Sequence, residues 1–201
     1  MFWKKRIYLD YAAGVSGNPS SPHEEGRLAK QMLEGARTVI ARLTEVQPDD
    51  VIFTSGATES NALAILGHTM ALKAAGRKDI HILYAPSAHA SIVENVKLLQ
   101  AEGVAVEALL IKDYRIDTEA LSKMLRDGTT LVSMDAVCGE TGVVWNTREV
   151  AQVLHAHAPQ VLLHVDASQA PLTEKMTRAH FDADMLTFDA SKVGTTRGIG
   201  I

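Results

Sequence analysis

Short apolar runs alternate with longer stretches whose apolar residues recur at helical spacing from residue 20 onward. Such alternation is typical of a mostly parallel sheet covered by the helices that connect its strands. The pattern therefore predicts an α/β fold of three layers, a mostly parallel sheet with helices on both faces. It predicts strands at 50–54, 80–84, 104–111, 130–135, 160–165 and 184–188, and helices at 22–46, 58–76, 87–102, 117–126 and 147–156.

The pattern begins with a long predicted helix and ends within an apolar segment typical of a strand. The first predicted helix, 22–46, has apolar residues three or four positions apart, which places them on one helical face. The last four residues, 198–201, have the composition of a strand that is only beginning. We therefore expect an incomplete domain whose final strand leaves apolar surface and backbone groups unpaired.

Composition narrows the possible functions. A chain of 201 residues with 46% hydrophobic and 22% charged residues is an ordinary globular protein with one large core. The net charge of -4 gives no reason to expect nucleic acid or a membrane as partner. The longest apolar runs are far shorter than the ~20 residues of a membrane span. The basic start lacks the apolar core of a signal peptide, which predicts a cytoplasmic protein. Cys138 is the single cysteine, so no internal disulfide is expected.

A candidate phosphate site follows the first predicted strand. Small and hydroxylated residues, from Ser55 to Thr58, lead directly into a helix. Free backbone N–H groups and the helix dipole favour an anion at such a position, and the two hydroxyls can add hydrogen bonds. Taken alone, the same residues also fit a capped helix after a tight turn.

Three more polar residues follow predicted strands, at the edge where open α/β sheets bind ligands. Asp166 could keep a pyridine nitrogen protonated, although a helix N-cap explains it equally well. His89 could stack on a flat ring or move a proton, and otherwise is a surface histidine. Lys192 could form a Schiff base if partly desolvated, and otherwise is a solvated lysine.

Together, these segments resemble the cysteine desulfurases within the class V aminotransferase group. The resemblance covers nearly the whole chain and keeps one order. The matching segments are 8–13, 17–21, His23, Gly26, Ala36-Arg37, 53–60, 140–142, 164–169, Lys192 and 198–200.

The resemblance implies a fold-type-I large domain that binds pyridoxal phosphate. That domain would occupy residues 21–201 after an arm at 1–20, and the carboxyl-terminal small domain would be absent. Lys192 would form the Schiff base and, with His89, act in catalysis. The remaining roles carried over by position are ring stacking by His89, pairing with the pyridine nitrogen by Asp166, contact with the phenolic oxygen by Gln169, phosphate binding by Ala57 and Thr58, and a place in the cofactor site for Ser191.

Such enzymes convert L-cysteine to alanine and leave a persulfide on an enzyme cysteine. The resemblance also implies a homodimer, a possible sulfur-acceptor protein for the full-length parent, and no metal. The family's cysteine lies on a mobile loop in the carboxyl-terminal half, so we expect Cys138 to be structural and this length alone to be inactive. Two alternatives are another class V enzyme, a lyase or aminotransferase, and a non-catalytic remnant of the fold.

The chain departs from the family pattern at several positions. Asp189-Ala190-Ser191 stands where Ser-Gly-His is usual before the lysine, and Thr195-Thr196 replaces Gly-Pro after it. Cys138-Gly139 replaces Asn-Asn, and a segment usual between Ala13 and Gly17 is missing. The charge of Asp189 would oppose a phosphate unless its side chain turns away.

Overall fold

The computed structural model describes residues 7–10, 12, 14 and 17–201. The chain divides into two compact units, one ending at Val51 and the other spanning Ile52–Ile201. The boundary at residue 20 remains a prediction, and several residues of the expected arm lie outside the described part. No helix among the described residues is long and apolar enough to cross a membrane.

The first unit is built on helix α1, Glu24–Thr44, which confirms the first predicted helix. His23 caps its start, since the ring Nδ1 accepts a hydrogen bond of 3.1 Å from the Gly26 N–H. The helix ends at Glu45, whose backbone is left-handed with φ 58°. Its apolar face is largely open in this chain, because Met32 is 75% exposed and Leu43 63%.

The second unit contains the strands β1 His81–Tyr84, β2 Ala105–Ala108, β3 Ile111–Lys112, β4 Arg115–Ile116, β5 Thr129–Asp135, β6 Leu162–Asp166 and β7 Met185–Thr187. Five of them form a parallel sheet in the order β2-β1-β5-β6-β7, and β3 and β4 form a separate antiparallel pair. The helices are α2 Ala57–Ala62, α3 His68–Ala74, α4 Ala90–Ala101, α5 Thr118–Met124, α6 Thr147–His157 and α7 Arg178–Phe181.

The strand order reverses direction between β1 and β5. From β1 the chain moves outward to β2 through α4, whereas from β5 it moves the opposite way to β6 through α6. Parallel crossovers are almost always right-handed, so α4 and α6 cover opposite faces of the sheet. The predicted α/β class and its mostly parallel sheet are confirmed. A reversal of this kind opens a crevice at the carboxyl ends of the two strands.

The central strand of the sheet is completely buried. All seven residues of β5 are buried, and Leu131, Val132 and Met134 have no exposed surface. On the helices, Ile92 of α4 and Val150 of α6 are also fully buried. The strand is buried along its whole length rather than at alternate residues, as expected for a parallel strand covered on both faces.

Two predicted elements need correction. Residues 50–54 are not a strand: the 3₁₀ turn Pro48–Asp50 is followed by extended chain, in which only Thr54 forms a bridge. Predicted strand 104–111 is divided between β2 and β3. Predicted helix 58–76 is present as α2 and α3, joined without interruption by the π-helical turn Leu63–Gly67. We refer to this continuous element as helix 57–74.

The backbone groups of Gly200 and Ile201 are paired, contrary to expectation, whereas the side chain of Ile199 is exposed as expected. Gly200 exchanges two hydrogen bonds of 2.9 Å with Thr54, and Ile201 exchanges bonds of 2.9 and 3.0 Å with Phe188. Asp189 also bridges to Gly200. The extended segment 199–201 therefore lies between the segment after β7 and the segment before helix 57–74, and its hydrogen bonds join the two.

Close approach at this segment requires glycine at position 200. A Cβ there would lie 2.3 Å from the Gly56 carbonyl carbon and 2.5 Å from the Thr54 Oγ1. We predict that Gly200→Ala lowers the free energy of unfolding by about 1–3 kcal/mol, because backbone must shift to admit the methyl group. Thermal unfolding followed by circular dichroism measures the change. Gly194→Ala is the matched control, since a Cβ at Gly194 meets nothing within 4 Å. Equal melting temperatures for the two variants would contradict the prediction.

Candidate functional site

The candidate residues line the carboxyl ends of four neighbouring strands. His89 follows β1, Cys138 follows β5, Asp166 ends β6 and Lys192 follows β7. In a parallel sheet these ends share one edge, and here the edge includes the reversal between β1 and β5. The fold therefore brings distant parts of the sequence to one region.

Asp166 is the most constrained of these side chains. It is only 5% exposed. Its Oδ2 accepts a hydrogen bond of 2.6 Å from the Asn61 side-chain amide, and its Oδ1 accepts one of 2.9 Å from the Ser168 N–H. A buried carboxylate needs such donors because water is excluded. Both oxygens are held, so the orientation of the carboxylate is fixed.

A chain of hydrogen bonds connects Asp166 to His89. The Asn61 amide donates to the Ser91 Oγ at 2.8 Å, and the same Oγ lies 2.8 Å from the His89 Nδ1. The Ser91 N–H also donates to that Nδ1 at 3.2 Å, as in an N-capped helix. Because Nδ1 accepts, the proton of the neutral ring belongs on Nε2. His89 itself is exposed, so Nε2 is accessible.

Unpartnered polar atoms cluster around Asp166. Within the described part of the chain, the Asn61 Oδ1, the Asp135 Oδ1 and the Ser168 Oγ are buried without a hydrogen-bond partner. Asn61 and Ser168 both bond to Asp166, and Asp135 is its register partner on β5. Each such atom costs about 1–3 kcal/mol unless something bonds to it. Three unpartnered polar atoms therefore surround this one carboxylate.

Asp135 is an unusual acid for this position. Register pairing places its side chain on the same sheet face as that of Asp166. Burial, with a smaller contribution from the charge of Asp166, raises the pKa of Asp135 to about 7. The carboxyl therefore carries a proton in mildly acidic conditions and can donate a hydrogen bond.

His164 supports Asp166 from within the sheet. Its ring is fully buried and lies 2.9 Å from the Ser133 Oγ and 3.1 Å from the Thr187 Oγ1. Burial lowers the pKa of His164 to about 4, against a smaller opposing effect of Asp166. The imidazole is therefore neutral at neutral pH and joins β5, β6 and β7 by hydrogen bonds.

Two acidic side chains already accept hydrogen bonds from the candidate phosphate-binding segment, which runs from Ser55 to Thr58. The Ser55 N–H and hydroxyl both donate to the Glu59 Oε2, at 2.7 and 2.6 Å. The Ala57 N–H donates to the Asp189 Oδ2 at 3.5 Å, and the Ser191 N–H to its Oδ1 at 2.8 Å. The side chain of Asp189 therefore does not turn away from the start of helix 57–74.

The other predicted site residues lie at the surface of this edge. Thr58, Gln169 and Lys192 are exposed, and Ser191 is partly buried. A Cβ at Gly139 would lie 3.3 Å from the Gln169 Nε2, so these two residues adjoin. Lys192 ends the 3₁₀ turn Ala190–Lys192 and acts electrostatically on Asp189. No group of three or more metal-ligating side chains occurs among the described residues.

Cys138 lies in a tight turn that follows β5. It is 2% exposed, and its Sγ lies 3.7 Å from the Ser87 carbonyl oxygen. Hydrogen bonds from the Gly142 N–H to its carbonyl and from its N–H to Val143 hold the backbone. The thiol is enclosed rather than presented to the crevice.

Asn61 and Ser91 escaped the sequence interpretation. Asn61 stands directly after the matching segment 53–60, and its position on a predicted helix gave it no distinct role. The one signal in the sequence was that Asn61 is a polar residue at a helical position that faces the core. The partner, Asp166, is 105 residues away and could not be identified from spacing.

Comparison with known proteins gives a consistent result. The family described as Aminotransferase class-V matches residues 6–201. The chain is 34% identical to "Cysteine desulfurase IscS 1" of Archaeoglobus fulgidus, covering 96% of this chain and 49% of that protein. It is 36% identical to the "NifS/IcsS protein homolog" of Lactobacillus delbrueckii subsp. bulgaricus, with 96% and 50% covered.

Solved structures agree with the sequence relatives. "SspA in complex with cysteine" matches with a TM-score of 0.85 at 27% identity, over 95% of this chain and 54% of that one. DndA from Streptomyces lividans matches with a TM-score of 0.80 at 35% identity, over 94% and 52%. The chain thus spans about half the length of the proteins it matches.

The raised pKa of Asp135 leads to a prediction about stability. The folded acid keeps its proton up to about pH 7, whereas the unfolded one loses it near 3.8. The folded state therefore binds more protons between these values, and its free energy of unfolding falls as pH rises through that window. Asp135→Asn cannot ionise, so we expect it to raise the melting temperature at pH 8 by at least about 2 °C and to change it little at pH 4.

Thermal melts at both pH values measure this effect. Asp113→Asn, at an exposed turn, serves as the control for removing one negative charge. A lower melting temperature for Asp135→Asn at pH 8, or the same shift at both pH values, would show that the buried charge does not destabilise the fold.

Proposed function

Because this chain belongs to the class V aminotransferase family, we propose that it forms the cofactor-binding part of a pyridoxal-phosphate-dependent cysteine desulfurase. The relatives named as cysteine desulfurases support the reaction class. The similar structure described in complex with cysteine supports L-cysteine as the substrate of the whole protein.

The observation that carries the proposal is the fixed carboxylate of Asp166 among unpartnered polar atoms. Asn61 and Ser168 orient both of its oxygens, and one further polar atom of each of these residues has no hydrogen-bond partner among the residues that the structure describes. A pyridine ring with a charged nitrogen and a phenolic oxygen offers partners to such a set. The ring end of the site therefore fits pyridoxal phosphate in the chemistry of its donors and acceptors.

Pyridoxal phosphate, when bound, supplies an electron sink for the substrate carbanion. Asp166 would hold a proton on the pyridine nitrogen, which strengthens that sink. Lys192 would attach the aldehyde through Nζ, and its exposed position leaves the amine reachable. His89 would stack on the ring, with its Nδ1 fixed by Ser91 and the Nε2 proton available to the substrate.

The remaining roles are proposed by position. Gln169, which adjoins Gly139, would contact the phenolic oxygen. Ala57, Thr58 and Ser191 would contact the phosphate, which favours the start of helix 57–74 because of its N–H groups and dipole. We further propose that the whole protein is a cytoplasmic homodimer that can pass sulfur to an acceptor protein.

We predict that Lys192→Ala abolishes covalent capture of the cofactor. The wild-type protein mixed with pyridoxal phosphate should absorb visible light, and borohydride reduction should leave a label that peptide mapping places on Lys192. Lys175→Ala is the control, because Lys175 is another exposed lysine of the same unit. A label on a different wild-type residue, or an undiminished chromophore in Lys192→Ala, would show that the assignment is wrong.

We also predict that the 201-residue chain alone does not release alanine from L-cysteine at a steady rate. Sulfur transfer needs a thiolate that reaches the substrate sulfur, and the only cysteine of this sequence is 2% exposed. Alanine and sulfide are measured after mixing the protein with L-cysteine and pyridoxal phosphate under reducing conditions. Steady alanine release that is lost in both Lys192→Ala and Cys138→Ser would instead make Cys138 the acceptor.

A further inference from the structure

We propose that Asp189 is a specificity-determining residue: its carboxylate occupies the anion position at the start of helix 57–74 and must be displaced before a cofactor phosphate binds there. The inference rests on the proposed function, since it concerns the same site. As a consequence, the site should bind pyridoxal phosphate only slightly more tightly than pyridoxal, which lacks the phosphate.

The two oxygens of Asp189 serve the starts of two helical elements. Oδ2 accepts from the Ala57 N–H at 3.5 Å, where helix 57–74 begins, and Oδ1 accepts from the Ser191 N–H at 2.8 Å, where the 3₁₀ turn with Lys192 begins. Gly56 adjoins the same carboxylate, because a Cβ there would lie 3.9 Å from Oδ2. The carboxylate is thus an internal anion placed where an external one would bind.

The backbone keeps Asp189 in this place. Asp189 bridges to Gly200, and Gly200 in turn pairs with Thr54, two residues before Gly56. The next residue, Ala190, donates to the Ile199 carbonyl at 3.1 Å. Both segments are joined through the extended segment 199–201, so the side chain of Asp189 begins close to the loop before helix 57–74 and reaches it without rearrangement.

The charge of Asp189 persists at neutral pH. Partial burial favours the neutral acid, but hydrogen bonds from Ser191 and from the Ala57 N–H, together with the charge of Lys192, outweigh it and lower the pKa of Asp189. A phosphate dianion at the same N–H groups would meet this negative charge directly. Glu59 adds a second one, because its carboxylate already accepts from Ser55.

Removing the charge should therefore improve binding of the phosphate and leave binding of the ring unchanged. Asp189→Asn preserves size and an oxygen that can accept from Ser191. We expect it to tighten binding of pyridoxal phosphate by about tenfold or more, since like charges at short range oppose each other strongly. The dissociation constant for pyridoxal, which lacks phosphate, should stay within about twofold of the wild-type value.

The experiment measures dissociation constants of the full chain for both aldehydes by absorbance or fluorescence titration. Variants are Asp189→Asn, Asp189→Ser in case the first fails to fold, and Asp113→Asn as the control for net charge. A ratio of the two constants that shifts toward pyridoxal phosphate only in the Asp189 variants supports the inference.

Two results would overturn the inference in different ways. Binding of both aldehydes with an unchanged ratio in the Asp189 variants removes the role of Asp189 and leaves the proposed function intact. Failure of every protein, wild type included, to bind either aldehyde removes the proposed function together with the inference. Melting temperatures of all variants show whether each is folded.

Discussion

The burial of the Asp166 carboxylate at the end of β6 is the constraint on which the rest of the site depends. A carboxylate with 5% exposure needs donors supplied by the protein, and it takes them from the Asn61 side chain and the Ser168 backbone. Because Asn61 belongs to helix 57–74, its hydrogen bond to Asp166 fixes the position of that helix relative to the end of β6. The same amide reaches Ser91 at the start of α4, and Ser91 fixes the His89 ring. One buried acid thus positions two helix starts and an exposed imidazole.

The sheet supports this arrangement with polar groups that an ordinary core would not contain. Ser133, His164 and Thr187 are buried and joined across three parallel strands by the two nitrogens of one neutral imidazole. Asp135 extends the polar region beside Asp166, and one of its oxygens has no partner in the described chain. Fully satisfied networks rigidify a core, and partly satisfied ones weaken it. The unpartnered oxygen lies beside Asp166, next to the position proposed for the cofactor ring.

Sequence patterns predicted the sheet and most helices because both depend on local periodicity. Strands β1, β5, β6 and β7 and helices α1, α4, α5 and α6 lie close to their predicted positions. Residues 50–54 were wrongly predicted as a strand because their apolar run indicates only burial. A strand also needs hydrogen bonds to a neighbouring strand along its length, and in this segment only Thr54 forms a bridge. The short pair β3-β4 and helix α7 carry too few residues for a periodic signal.

The sequence predicted most residues of the candidate site, but not the hydrogen bonds that connect them. Motif order indicated Asp166, His89 and Lys192, and the structure places them along one edge of the sheet. Asn61 and Ser91 went unnoticed because their function lies in contacts across 105 and 30 residues of chain. For Asp189 the sequence raised the question of charge, but only the structure shows that its carboxylate contacts the Ala57 N–H.

The two ends of the site therefore differ in how firmly they are built. At the ring end, Asp166, Asn61 and Ser91 are each buried and each make at least two hydrogen bonds, so changing one disturbs the others. At the phosphate end, the contact of Asp189 with Ala57 is a single bond of 3.5 Å at a partly exposed position. Under the proposed role of Asp189, substitutions at this position would alter ligand preference at little cost to the fold, because few other groups depend on its side chain. An acid can therefore stand at residue 189 while the ring end keeps its geometry.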